Sequence, residues 1–355
     1  MTANRGAQAA PSDRCGYVYD VSTLPDIGGV SCWRPVWEGE DRCLWHLDVS
    51  VKPRDALADR QPRENERLDG AVLGRVSLNG VDWFEDCSLI GAQLTAVDLN
   101  DASLSGADLR EASLENVSAR RADFSEANLV DTALTVCDYR GADFTNARLD
   151  QATFSNVRIS RSTTFGKTSV YEDELTEVDD EWYLQRAQAA IWTYREIRTL
   201  HENNALPIEA RSYYLDEKDM RRRADWHEGN YATALKAEGS RWVTGYGMSH
   251  WRVLGTSAAL ILLSAAMYPL TGGIQETVGG ETTTWTLESP EDAPPFWIAY
   301  ILARSLYFSV ITFSTLGYGD IRPVGTVARW LAGAESLLGS ILMALLVFVL
   351  TRRIS

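Results

Sequence analysis

The chain has 355 residues, 45% of them hydrophobic and 23% charged, and its net charge of −15 is built on 30 Arg but only 4 Lys. That length allows two to four domains, and so acidic a chain is a poor match for nucleic acid, so none is expected as a partner. Five cysteines, an odd number, argue against a closed disulfide framework. With four His and no phosphate-cradling loop, the sequence holds no catalytic constellation and is read as a non-enzyme.

Residues 1–67 form the first segment. Residues 1–50 contain charges throughout and no apolar core run, so no secretory signal is present and the N-terminus is expected in the cytoplasm. Cys15, Cys32, Cys43 and His46 fall here, the last two as a C-x-x-H pair. Three thiolates and an imidazole make a closed tetrahedral shell for structural zinc. The long gaps between them leave buried free thiols or a redox site open as alternatives, although a cytoplasmic location disfavours a disulfide. The acidic excess with scarce Lys resembles proteins of salt-loving archaea.

Residues 68–165 repeat with a period of five. Large residues recur at Leu89, Leu94, Leu99, Leu104, Leu109 and Leu114 and continue as Ala119, Phe124, Leu129, Leu134, Tyr139, Phe144, Leu149, Phe154 and Ile159. Leu73 and Leu78 precede them, with a one-residue slip between Trp83 and Leu89. A small residue stands two positions before most of them, as at Ala92, Val97, Ala102 and Ala107. Five is neither the helix nor the strand period, but a square coil with five residues per side turns both sets inward. Over residues 71–159 the pattern resembles the pentapeptide-repeat family, which implies a right-handed quadrilateral β-helix. At four repeats per coil this makes about four and a half coils, a rod of about 20 Å at strand spacing, with both ends needing caps. The zinc candidate is expected at the open end. Cys87 and Cys137 occupy small inward slots and read as core.

Residues 166–238 are expected to be a helical linker. Seven of the ten residues 172–181 are acidic and read as a solvated connector. A helical stripe follows at Ala187, Ala190, Ile191, Tyr194 and Ile197, ended by Asn203-Asn204. Pro207 then opens a second helix carrying Ala210, Tyr213, Tyr214 and Met220. The pair resembles a tetratricopeptide-like hairpin. Arg221, Arg222 and Arg223 could meet lipid headgroups, but ion pairing with nearby acids is the favoured reading.

Residues 239–355 are membrane-like. Residues 251–270 and 327–350 are apolar enough to cross a hydrocarbon core of about 30 Å, and residues 296–314 between them read as a re-entrant pore helix. Arg241 and Arg252 precede the first span and Arg352 and Arg353 follow the second. The loop 271–295 lacks Lys and Arg and carries Glu276, Glu281, Glu288, Glu291 and Asp292. Both termini are therefore expected inside and the acidic loop outside, in a multi-pass protein of the cell membrane in contact with lipid. Trp242, Tyr246 and Trp251 fit an inner aromatic belt and Trp297 and Trp330 an outer one, with simple packing the alternative for each.

After the pore helix comes Thr315-Leu316-Gly317-Tyr318-Gly319-Asp320. Two glycines alternating with larger residues let successive carbonyls face one side, and a ring of such carbonyls can replace the water shell of a cation. The sequence TLGYGD between two spans resembles a two-transmembrane potassium channel pore. That resemblance implies K⁺ held by the carbonyls of Thr315, Leu316, Gly317 and Tyr318, with Gly319 permitting the backbone, Tyr318 bracing the loop and Asp320 at the outer mouth. Leu316 stands where such channels usually have Val, which touches packing behind the filter. A ring needs four loops, so a homotetramer is expected. Gly339 is a candidate gating hinge, or a site of close helix packing. Glu335 is a candidate filter support, or an interfacial acid.

The whole reads as a potassium-selective channel subunit regulated by an N-terminal repeat domain whose cytoplasmic ligand or partner the sequence does not identify. With the second span ending near Ser355, control is expected from the N-terminal side. Two rivals are a membrane-anchored interaction scaffold and a DNA-mimicking topoisomerase binder. The latter draws on a repeat that carries 15 acids against 7 bases over residues 68–160.

Overall fold

The computed structural model describes residues 11–19, 31–49, 51–278, 281–287 and 296–354. Glu288, Glu291 and Asp292 of the acidic loop lie outside the described residues, as do the side chains of Glu281, Arg352 and Arg353. The chain divides into two compact units, Met1–Tyr231 and Ala232–Ser355.

The first unit is built on a β-solenoid. Strands β1 (Val72–Gly74), β2 (Gln93–Thr95), β3 (Ser113–Glu115), β4 (Ala133–Thr135) and β5 (Thr153–Ser155) form one parallel ladder in chain order. Leu94 pairs with Leu114 and Leu114 with Leu134, so one coil takes twenty residues, while Leu73 pairs with Leu94 one residue further on. That extra residue is the slip seen in the sequence. Each side closes at a corner two positions after its large residue, and the corner residue is left-handed: Gly91, Ala96, Asp101, Gly106 and Glu111 all have φ between 54° and 67°. Asp98, Asp123 and Asp143 support these corners by accepting the N–H two residues on, at 2.8–3.0 Å. The large and small inward residues are buried along the rod, Cys87 and Cys137 with them, apart from Phe154 in the last strand, which is partly buried. Phe124, Phe144 and Phe165 stack at 5.0 and 5.2 Å, one above another through successive coils.

Both ends of the rod are closed. At one end, residues 14–18 and 31–35 pair antiparallel, helix α1 (Arg54–Ala58) follows, and the fully buried Trp45 packs edge-on against Phe84. The Trp45 carbonyl accepts the Val72 N–H at 2.9 Å and so continues the ladder into the cap. At the other end, α2 (Val170–Asp173) leads to a hairpin of α3 (Asp180–Asn203) and α4 (Pro207–His227). Asn204, in the turn between them, accepts from Ile159 N and donates to Val157 O, capping the last coil's backbone. Residues 172–174 differ from a solvated connector: Glu174 pairs with Arg148 and Arg186, and Glu172 with Arg223 and the Tyr194 hydroxyl. Acids close to the rod's end find fixed arginines there, which is a tertiary fact. Arg221 pairs with Glu217, Arg222 with Asp219, and Arg223 with Asp219 and Glu172.

The second unit begins in α5 (Tyr231–Thr244) and contains two long apolar helices, α6 (His250–Met267) and α8 (Gly325–Ile354), with the shorter α7 (Trp297–Phe313) between them. A small antiparallel sheet of β6 (Ile274–Val278), β7 (Glu281–Trp285) and β8 (Ile321–Pro323), in the order β7-β6-β8, joins the loop after α6 to the segment that follows the TLGYGD sequence.

Candidate functional site

The TLGYGD loop starts where α7 ends. A helix C-terminus carries partial negative charge, so the end of α7 favours a cation beside the loop. Leu316 N donates back to Ile311 O at 3.0 Å and Thr315 N to Thr312 O at 3.1 Å, fixing the turn off the helix. Thr315, Gly317 and Gly319 have φ of 56°, 50° and 78°. An alternation of left-handed residues can turn successive carbonyls to one side; glycine accepts it freely, and the β-branched Thr315 takes it under strain. Leu316 and Tyr318 are exposed on the single chain, at 59% and 68%. At that exposure the Tyr318 ring is not packed against α7 in the single chain.

At its C-terminal end the loop is clamped. Tyr307 on α7 donates its hydroxyl to Asp320 at 3.0 Å, and Thr277 N on β6 donates to the Asp320 carbonyl at 3.1 Å. Glu276, paired with Ile321 across the sheet, is buried; it holds Arg304 of α7 at 3.0 Å and accepts from Trp285 Nε1 at 3.1 Å. The sheet and the Glu276–Arg304 pair were not foreseen from sequence. The β-branched run Thr282-Thr283-Thr284 was the available signal for a strand, and Arg304 was the single charge in an otherwise apolar helix.

Behind the loop, Glu335 of α8 is almost wholly buried. It accepts from the Tyr268 hydroxyl at 2.5 Å and from Ser309 of α7, so one carboxylate ties all three helices. Gly339 lies one turn further along α8. A Cβ there would stand 2.4 Å from the Phe313 carbonyl oxygen, the last residue of α7. The geometry at Gly339 is close packing of α8 on the end of α7.

The second site is in the first unit. The donor atoms of Cys15, Cys32, Cys43 and His46 all lie within 4.8 Å of one another. Cys32 and Cys43 sulfurs are 3.8 Å apart, and His46 Nδ1 lies 3.5 Å from Cys15 Sγ and 3.2 Å from Cys43 Sγ. With metal–sulfur bonds of about 2.3 Å, a tetrahedron has edges of about 3.8 Å, so the set fits a tetrahedral metal. His46 Nε2 contacts the Asp69 carbonyl at 3.0 Å, which places the proton there and leaves Nδ1 as the ligand atom. The close thiols share their protons unequally: hydrogen bonds with Cys32 and Cys43 hold the Cys15 thiol far below its ordinary range, and the same contact with Cys15 holds the Cys32 thiol far above it. The paired segments 14–18 and 31–35 bring Cys15 and Cys32 together, and the turn from Cys43 to His46 supplies the rest.

Residues 296–355 match the family described as Ion channel, and residues 76–165 match the Pentapeptide repeat region. Among curated proteins, Protein LctB of Geobacillus stearothermophilus is 51% identical over 47 residues, and Protein LctB of Bacillus caldotenax is 49% identical over 47. Each alignment takes in 13% of this chain and 34% of the relative, so the chain spans about a third of the length of these proteins. A pentapeptide repeat protein from the Arabidopsis thaliana thylakoid lumen is 26% identical, covering 33% of this chain and 73% of that one, at a TM-score of 0.20. HetL, a pentapeptide repeat protein of Nostoc sp. strain PCC 7120, is 25% identical, covering 27% and 48%, at 0.17. The chain thus carries an ion channel domain C-terminal to a pentapeptide-repeat region.

Proposed function

We propose that this chain is one subunit of a potassium-selective channel of the cell membrane, in which four copies close a pore around a four-fold axis and both termini face the cytoplasm. The observation that carries the reading is the alternating left-handed backbone at Thr315, Gly317 and Gly319, set at the C-terminus of a short helix between two membrane-length helices. Carbonyls aimed this way stand in for the hydration shell of K⁺. The exposed apolar side chains Leu316, Tyr318, Leu337 and Ile341 would be covered by neighbouring copies or lipid. Tyr318 would find its packing partner across the subunit boundary. Glu335 supports the filter by fixing the helix that ends in it, and the N-terminal rod acts as the regulatory domain.

The test is ion flux in liposomes carrying the purified protein. Wild type passes K⁺ well above Na⁺, and Tyr318→Ala or Gly317→Ala abolishes the preference. Flux no higher than in empty liposomes, or flux unchanged in both variants, rejects the channel reading.

The Cys3His set holds a structural Zn²⁺ in this proposal, because its donors and their spacing suit that ion and the closed shell leaves no open coordination position. Native mass spectrometry should find one zinc per chain, lost in Cys43→Ser. Fully reduced, metal-free wild type with an unchanged unfolding temperature rejects it.

A further inference from the structure

Beside the Cys3His set the first unit has a cleft of about 720 Å³, and its walls run against the chain's overall charge. In a protein of net charge −15 it is lined by five arginines. Two of them are already committed: Arg34 grips Glu66 through two bonds of 2.7 and 2.9 Å, and Arg67 pairs with the buried Asp69. The other three keep donors for a ligand. Arg14 spends one nitrogen on the Trp33 carbonyl and holds Asp13 at 3.7 Å through another, and Arg60 gives one to the Ala56 carbonyl and lies over the Trp37 ring at 4.6 Å. The Arg63 guanidinium has no partner among the described residues. A guanidinium carries five N–H donors, so these three lining residues retain donors beyond those already used, with Glu64 the one further carboxylate on the lining. The lining also carries three aromatic rings: a half-exposed Trp33, Tyr19, and Tyr17, which stacks on His46 at 4.4 Å with Arg42 over it at 5.6 Å.

Forked guanidiniums suit phosphate oxygens, and flat rings suit a planar base. The volume falls within the usual range for a small-molecule site. We propose that this cleft binds a small phosphate ester bearing an aromatic ring, the chemistry of a nucleotide. This inference rests on the first unit alone and is independent of the pore. Because Cys32 and His46 belong to the same wall, the ligand would lie against the metal-ligating residues, and the cap would respond to both.

Isothermal titration of the full-length protein in detergent with ADP, adenosine and pyrophosphate tests this. ADP should bind saturably below about 1 mM, with adenosine and pyrophosphate each at least ~10-fold weaker because each lacks one half of the recognition. Arg63→Ala and Trp33→Ala should each weaken ADP by ~10-fold or more. Both side chains are exposed, so folding and metal content should be unchanged, and that is checked alongside. No saturable ADP binding, ADP affinity unaffected by either substitution, or pyrophosphate binding as tightly as ADP would overturn the proposal.

Discussion

Glu335 offers the sharpest test of how the pore unit is held together. Its carboxylate, Tyr268 and Ser309 are all essentially inaccessible to solvent. Glu335→Ala removes the acceptor of the Tyr268 hydroxyl, while Ser309 keeps the Ile261 carbonyl at 2.8 Å. One stranded buried hydroxyl costs about 1–3 kcal/mol, and the cavity left by the missing side chain adds about 1–2 kcal/mol. Glu335→Gln retains an acceptor oxygen for Tyr268 and fills the same space, so its cost should stay near about 1 kcal/mol. Each kcal/mol moves the unfolding temperature by roughly 2–4 °C for a domain of about 150–250 residues, and by no less for the smaller unit Ala232–Ser355. The alanine variant should therefore melt on the order of 10 °C below wild type and the glutamine variant only a few degrees below. Tryptophan fluorescence of the detergent-solubilised protein reads this directly. An alanine variant that melts with wild type, or a glutamine variant that falls as far as alanine, would refute the acceptor role assigned to Glu335.

Three further outcomes follow from the structure. Gly339→Ala puts a methyl about 1 Å inside contact distance of a backbone carbonyl, a cost of about 1–3 kcal/mol; it should lower both the unfolding temperature and K⁺ flux, whereas altered flux with unchanged stability would favour a hinge. Val136 is a half-exposed β-branched residue at φ 56°, so Val136→Asn should stabilise the rod by about 1 kcal/mol, and a lower melting temperature in the variant would contradict this. Asp216 has its carboxyl pushed up to about 6 by burial, with Glu172 and Asp219 adding to it and Arg223 opposing. A carboxyl raised on folding favours the protonated protein, so its penalty is full above pH 6, eases as the pH falls through 6, and is gone below the unfolded value near 4. Asp216→Asn should thus raise the melting temperature most at pH 7.5, clearly less at pH 4.5 and hardly at all near pH 3, and equal shifts at pH 7.5 and pH 4.5 would exclude titration as the cause.

Much of this protein was legible because two of its patterns are local and periodic. A five-residue repeat with large and small residues in fixed slots can bury both only in a square coil, so Leu89 to Ile159 placed the core without any knowledge of neighbours, even to the one-residue slip before Leu89. Thr315 to Asp320 was equally legible, since a Gly-x-Gly loop between apolar segments states its own backbone requirement. Cys15, Cys32, Cys43 and His46 could be named as a candidate set but not assembled: with gaps of 17, 11 and 3 positions, only the pairing of segments 14–18 and 31–35 brings the sulfurs to tetrahedral spacing. The same limit hid the Glu276–Arg304 clamp, the cap that Asn204 places on the last coil, and the three-helix junction at Glu335. Local sequence sets what a segment can adopt and which face it must bury. Which charge meets which, and how closely Gly339 approaches the end of α7, depends on where distant segments cross, and that was decided only in the folded chain.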